Sequence, residues 1–321
     1  MATLGEDPKR LGIFFFFDAQ GVVDSYVETL LADMVKNLSE LTIVVNGELT
    51  AKSYAKLSAF TDNIILRENK GLDVWAYKTA MESHGWERLS EFDEVVLFNA
   101  TIMGPVYPFK EMFTEMARRN IDFWGITWFH EVPFDPFGYA EEGYLPRHLQ
   151  SHWISVRRRL LTDPAFREYW EQMPPVSSYR DSIQWHESRF TDHFTGIGHT
   201  YEVAFPVDRY HSDNPAIEEA PALLADGCPL LKRRAFFHDP LHQDRQAVVG
   251  GALLEAAAQA GYSEDLILSD VVHTAAARDL IVNAGLTEVV TESAPGTSSP
   301  AQQPSGCVVV HVPAAGEGIE R

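Results

Sequence analysis

The sequence predicts an α/β fold built on one mostly parallel sheet with helices on both faces, followed by an irregular C-terminal part. Three observations carry this. Apolar runs of strand length recur through the first half of the chain and are continuous rather than alternating, as in strands buried on both faces. Segments of helical period separate them. Each apolar run ends in small or polar residues, and sheets of this kind bind ligands beyond the carboxyl ends of their strands.

In chain order, residues 11–17 (LGIFFFF) read as a strand, 22–38 as an amphipathic helix, 41–45 as a second strand, 51–60 as a helix and 63–66 as a third strand. Residues 73–84 then have helical period, and 94–98 (EVVLF) form a fourth strand. Beyond it, 109–119 reads as helix, 122–127 as strand, and 129–144 as a loop rich in Pro, Gly, acids and aromatics. Residues 148–156 read as another strand, 163–172 and 180–194 as helices, and the stretch to 222 as irregular, with short helical pieces at 223–237 and 248–260. From Thr291 the chain turns to Ser, Pro, Ala, Gly and Gln, apart from a strand-like run at 307–312. Such a tail buries too little apolar surface to offset its ordering entropy, so 291–321 is expected to be disordered. The expected organisation is an extension over 1–10, one domain over 11–290, and this tail.

Composition narrows the function classes. The chain has 321 residues, with 26 Lys plus Arg against 46 Asp plus Glu, a formal charge of -20. That argues against a nucleic-acid partner, whose phosphates call for a basic face. Two cysteines, Cys228 and Cys307, lie far apart and form neither a disulfide framework nor a zinc spacing. The first ten residues are polar and of mixed charge, and the apolar run that follows is far shorter than the ~20 residues of a membrane span. A cytoplasmic setting is the expectation.

The candidate site lies at the strand ends. Asp18 follows the first strand, Asn46-Gly47 the second, Arg67-Glu68-Asn69-Lys70-Gly71 the third, and Asn99-Ala100-Thr101 the fourth. Four polar ends side by side suggest one ligand cleft. Asp18 reads equally as a turn residue or as an acceptor for a base or ribose, and Asn46-Gly47 as a plain turn or a ligand-reading amide. Gly71 permits a tight turn near a ligand, and Asp73 reads as a helix N-cap or as part of the cleft, the two being compatible. Asn99 and Thr101 are spaced by two and therefore point to one side.

The ordered set DAQGVVDSYVETLL, IVVNGEL, LRENKGLDVWAYKTAM, FDEVVLFNATIMGPVYPFKEMF, DFWGIT and HLQSHWISVRRRLLTDPAFREYWEQM resembles the rhamnan synthesis F family of bacterial cell-surface polysaccharide glycosyltransferases, over about residues 11–240. The resemblance implies a GT-A-like domain, a donor-binding half over about 11–130 and an acceptor-side half over about 131–290. It also implies transfer of a sugar, typically rhamnose from a dTDP-rhamnose-like donor, onto a polysaccharide or glycolipid acceptor, with peripheral association at the inner membrane face. Carried over by position, Asn46 and Gly47 match the family's NG, and Arg67, Asn69, Gly71 and Asp73 its R-x-N-x-G-x-D. Asn99, Thr101, Gly104 and Pro105 match its NDS-x-x-GP, and His148, Gln150 and Ser151 its H-x-QS. Related sugar transferases hold a divalent Mg²⁺ or Mn²⁺ on carboxylates near this place. Here Ala100 replaces the family's Asp, so a metal would have to use Asn99, Thr101 and a residue such as His238.

An inverting transferase needs a carboxylate to take the acceptor's proton. Glu187 resembles the acid of the family's yE-x-x-l-T segment, with Asp181 and Asp192 as alternatives and a helix-surface acid as the plain reading. Lys232, Arg233 and Arg234 in PLLKRR could meet diphosphate oxygens or form a solvated charged face. Two other classes stay open: a non-catalytic relative that binds nucleotide sugar or polysaccharide in a synthesis complex, and a nucleotidyl or phosphoryl transferase, for which no P-loop is visible.

Overall fold

The structure, a computed structural model, describes residues 3–285 except 136–137, 139–142, 207, 209 and 238–247. The chain divides into a unit of Met1–Leu286 and a second of Thr287–Arg321. The described residues all lie in the first. His238, the tail expected from Thr291 and its strand-like run at 307–312 lie outside them.

The strands are β1 (Arg10–Phe17), β2 (Glu40–Asn46), β3 (Ile64–Arg67), β4 (Glu94–Asn99), β5 (Ile102–Met103), β6 (Phe123–Gly125), β7 (Trp128–Phe129), β8 (His148–Leu149), β9 (Trp153–Arg157), β10 (Tyr201–Val203) and β11 (Leu231–Lys232). Seven form the main sheet in the order β10-β6-β9-β4-β1-β2-β3. β4, β1, β2 and β3 are parallel neighbours, β10 is parallel to β6, and β9 runs antiparallel to both β4 and β6. This is the mostly parallel α/β sheet, with helices on both faces, that the sequence predicts. Its register lines up the polar strand ends: Phe17 lies opposite Asn46, Asn46 opposite Arg67, and Phe15 opposite Asn99.

Both faces are covered, as continuous apolar strands require. Along β1, Phe14 and Phe16 enter one core with Tyr26, Val27, Leu30 and Leu31 of α1 (Ser25–Met34). Leu11 and Ile13 enter the other with Val74, Tyr77 and Met81 of α3 (Leu72–His84). Local chemistry sets the helix starts. Thr50 caps α2 (Ala51–Ser58) by accepting from the Ser53 amide, and Asp163 caps Pro164–Glu171, where the proline at the first turn has no amide to satisfy.

Several expectations are corrected. The strand read at 148–156 is two strands, β8 and β9, separated by Gln150–His152, because a polar break turns the chain there. The helix expected over 22–38 starts at Ser25 and tightens into a 3-10 turn at Val35–Asn37. The piece read as helical over 223–237 contains β11, which pairs with β5, so tertiary pairing overrides local propensity. The helices Glu264–Thr274 and Ala277–Ala284 were not anticipated. Among the described residues no helix is long and apolar enough to cross a membrane.

Candidate functional site

The carboxyl ends of β2 and β3 form one polar group. Asn46 is fully buried. Its amide nitrogen lies 3.4 Å from Asn69 Oδ1 and 3.5 Å from the Lys70 carbonyl, and its oxygen accepts from Arg67 at 3.1 Å. The amide of Gly47 donates to the Arg67 carbonyl, and burial lowers the Arg67 pKa. Asn46 therefore ties down the loop that leads into α3. In that loop Gly71 has φ 76° and Leu72 φ 51°, and a Cβ on Gly71 would stand 2.3 Å from Trp75 Cβ. Two consecutive left-handed residues are an uncommon start for a helix and concentrate where a turn has a task. A cleft of about 590 Å³ opens here, lined by Asn69, Gly71, Trp75 and Val176 among others.

A second group assembles around the end of β4. Gly71, not Asp73, holds the N-cap position of α3, and Asp73 turns inward, almost fully buried. Its Oδ2 accepts from Asn99 Nδ2 at 3.1 Å and from the Ser151 hydroxyl at 2.9 Å. Asn99 Oδ1 in turn accepts from the Thr101 amide at 3.1 Å and the Thr101 hydroxyl at 2.6 Å. The Ser151 amide donates to Glu187 Oε2 at 2.8 Å. One residue in the break between β8 and β9 thus bridges two acids that are 114 positions apart in the sequence. Glu187 closes a π-helical turn, Ile183–Glu187, whose wide spiral is satisfied by the Ser188 hydroxyl bonding the Ile183 carbonyl. Such turns re-aim side chains and recur at functional sites.

The two acids are in different electrostatic states. Burial and the neighbouring Glu187 push the Asp73 carboxyl up, against the Ser151 bond and Lys232. Burial also pushes Glu187 up, but His148, the Ser151 amide and Lys232 outweigh it and hold that carboxyl below the usual range. Glu187 is therefore an ionised acceptor at neutral pH. His148 is buried and stacked on Phe129, with Nδ1 2.7 Å from the Pro146 carbonyl. That carbonyl can only accept, which assigns the proton to Nδ1. Nε2 faces Glu187 at 3.9 Å, an electrostatic contact rather than a hydrogen bond. Burial keeps this imidazole below its ordinary pKa.

The basic wall comes from β11. Pairing with β5 sets Lys232 opposite Ile102, and Lys232 Nζ donates to Thr101 Oγ1 at 2.9 Å. Burial, opposed by Glu187 and Asp73, lowers the ammonium to a pKa of about 8. Arg234 donates to the Tyr179 hydroxyl and lies over its ring. Arg233 is committed elsewhere, bidentate to Asp270 and packed over Tyr26.

The other predicted residues sit as follows. Asp18 accepts from the amides of Gln20 and Val22 and so closes its own turn. Gly104 packs on the Pro229 carbonyl, which an added Cβ would meet at 2.6 Å. Gln150 is buried, and its Oε1 has no partner among the described residues. A divalent cation does not fit Asn99 and Thr101 as they stand. Both lone pairs of Asn99 Oδ1 are taken by Thr101, and Thr101 Oγ1 faces an ammonium. Among the described residues there is no group of three or more His, Cys, Asp or Glu placed to hold a metal. Of the residues that complete the site, Ser151 and Lys232 were named from the sequence, the first as a family match and the second as a candidate for diphosphate oxygens or a solvated face, whereas Tyr179 was not. The signal for Lys232 was a basic triplet in an acidic chain.

A family model described as rhamnan synthesis protein F matches residues 41–313. An uncharacterized protein y4gN of Sinorhizobium fredii is 21% identical over 198 residues, 61% of this chain and 49% of that protein. The chain thus spans about half the length of this curated relative. Among solved structures, 4-diphosphocytidyl-2C-methyl-D-erythritol synthase from Anaerococcus prevotii is 11% identical, with a TM-score of 0.39 over 62% of this chain and 87% of that one. Glucosyl-3-phosphoglycerate synthase from Mycobacterium tuberculosis is 12% identical, with a TM-score of 0.30 over 48% and 58%.

Proposed function

Because the chain belongs to the rhamnan synthesis protein F family, we propose that it is a glycosyltransferase that moves a sugar from a nucleotide-sugar donor to a cell-surface polysaccharide or glycolipid. The observation that carries this reading is the Asp73–Ser151–Glu187 bridge at the carboxyl edge of the parallel strands, with Asp73 and Ser151 buried and Glu187 half-buried. It sets an ionised carboxylate beside a basic wall, where a ligand of this sheet type binds. The donor's nucleoside lies over the ends of β1 to β3, near Asp18, Asn46, Gly47 and Asn69, and its diphosphate lies beside Thr101. Residues 11–130 then form the donor side and 131–290 the acceptor side of one domain. Rhamnose from a dTDP-linked donor is the sugar favoured by the family's description, and the setting is the cytoplasmic face of the membrane where such polymers are assembled.

In an inverting transfer, the acceptor hydroxyl oxygen attacks the anomeric carbon and its proton passes to Glu187. The bond from that carbon to the diphosphate breaks, with its electron pair leaving on the phosphate oxygen. Glu187 suits the base role because it is ionised, half-buried and fixed by the Ser151 amide. Asp73, held neutral more readily, orients Asn99 and Ser151. The test is to incubate the protein with dTDP-rhamnose and UDP-glucose, with and without a rhamnose-containing glycan, and to measure nucleoside diphosphate release and product mass. Acceptor-dependent release supports the reading. Binding without release moves the weight to a non-catalytic binding protein.

A further inference from the structure

The donor set beside Thr101 leaves no seat for a divalent cation, and an ammonium stands there instead. On the donor-site reading above, we propose that Lys232 is the cation of this site: its Nζ, seated on Thr101, meets the diphosphate oxygens of the donor and stabilises the charge that grows on them as the sugar leaves, so that donor binding requires no divalent metal.

Four observations carry the assignment. The first is rigidity of placement. Lys232 reaches a residue 131 positions away through a two-residue ladder, Leu231 opposite Met103 and Lys232 opposite Ile102, which the Arg233 amide extends by donating to the Thr101 carbonyl at 3.0 Å. The second is charge. Among the described residues the hydrogen bond of Nζ goes to a neutral hydroxyl, and no carboxylate forms an ion pair with it, whereas neighbouring Arg233 is neutralised by Asp270 at 2.6 Å and 2.8 Å. Asp73 and Glu187 act on Lys232 through space, as do the like charges of Arg233 and Arg234.

The third is the chain of donors behind it. Lys232 donates to Thr101, Thr101 to Asn99, and Asn99 to Asp73, so the positive end of the chain points outward, where Thr101 is exposed. The fourth is the chemistry of the neighbours. The neutral pair Asn99 and Thr101 spends its oxygens inside the chain, and among the described residues no group of three or more His, Cys, Asp or Glu is placed to hold a metal. A lysine is a compact point charge of the kind that clamps phosphate oxygens.

Calorimetric titration of the full chain with dTDP and with UDP, in EDTA and in Mg²⁺, tests this. The expected result is the same affinity in both buffers, loss of about tenfold or more in Lys232→Met, and retention in Lys232→Arg, with melting temperature as the check on folding. Binding that vanishes in EDTA and returns with Mg²⁺ overturns the assignment while leaving the donor site standing. Unchanged affinity in Lys232→Met overturns it as well. No binding of either diphosphate in any buffer overturns the donor site and this inference with it.

Discussion

Ser151 spends its hydroxyl on Asp73 and its amide on Glu187, and this division decides what each substitution removes. Glu187→Gln keeps an oxygen for the Ser151 amide but cannot take a proton. Turnover should fall by about 10²–10⁴-fold with diphosphate affinity unchanged, read by comparing product release with calorimetry; equal turnover would remove Glu187 from the base role. Ser151→Ala leaves the amide and deletes the hydroxyl, so Asp73 loses a donor while already pushed up by burial. The expected costs are ~1 kcal/mol of stability and a weaker hold on Asn99, measurable by denaturant unfolding. A variant as stable as the parent would show that Asp73 does not depend on the Ser151 hydroxyl.

At the level of elements, the turn from β3 into α3 is where conformation and site meet. Gly71 combines φ 76° with a Cβ position blocked by Trp75. Gly71→Ala should therefore cost about 1–3 kcal/mol and displace Asn69 and Asp73 together, lowering both melting temperature and diphosphate affinity; loss of neither would show that the turn tolerates a side chain. The sequence made much of this fold legible because β1, β2 and β4 carry continuous apolar runs in their middles, so these runs located the strands and the polar residues that end them. It was less informative where three-dimensional pairing decides. Leu231-Lys232 becomes a strand only because Ile102-Met103 lies beside it, and no local pattern announces a partner so distant in the chain. Glu187 was a candidate through its resemblance to a family segment, beside Asp181 and Asp192, but the π turn that aims it could not be read, since Arg180–Phe194 has ordinary helical period.

On the scale of the whole molecule, the electrostatic liabilities are buried histidines rather than the surface charge of -20. His186 is fully buried among Tyr169, Trp170 and Phe190, and burial lowers its pKa to about 4. His148 and His152 are buried and lowered in the same direction, the latter also by Lys232. A histidine depressed in the folded state and near 6.5 in the unfolded chain binds its proton mainly after unfolding. Its contribution to stability is therefore complete above pH ~6.5 and is lost as the pH falls from there toward the folded value. For His186 the full span is worth ~3 kcal/mol at most. The depressed carboxyls, Glu187, Asp163 and Glu219, lose their contribution only below the ordinary carboxylate range, so the losses between pH ~6.5 and ~5 come from the histidines, opposed by Asp73, whose raised carboxyl gains stability as it takes up a proton on acidification. Acidification also reduces the net negative charge and its self-repulsion, which acts in the opposite direction. Burial should win, because the surface term is screened by salt and the buried one is not. Guanidinium unfolding at moderate salt should show the midpoint falling between pH 7 and pH 5, with a shallower slope in His186→Asn whatever that variant's absolute stability. A flat or rising midpoint would mean that the buried imidazoles are protonated without unfolding the chain.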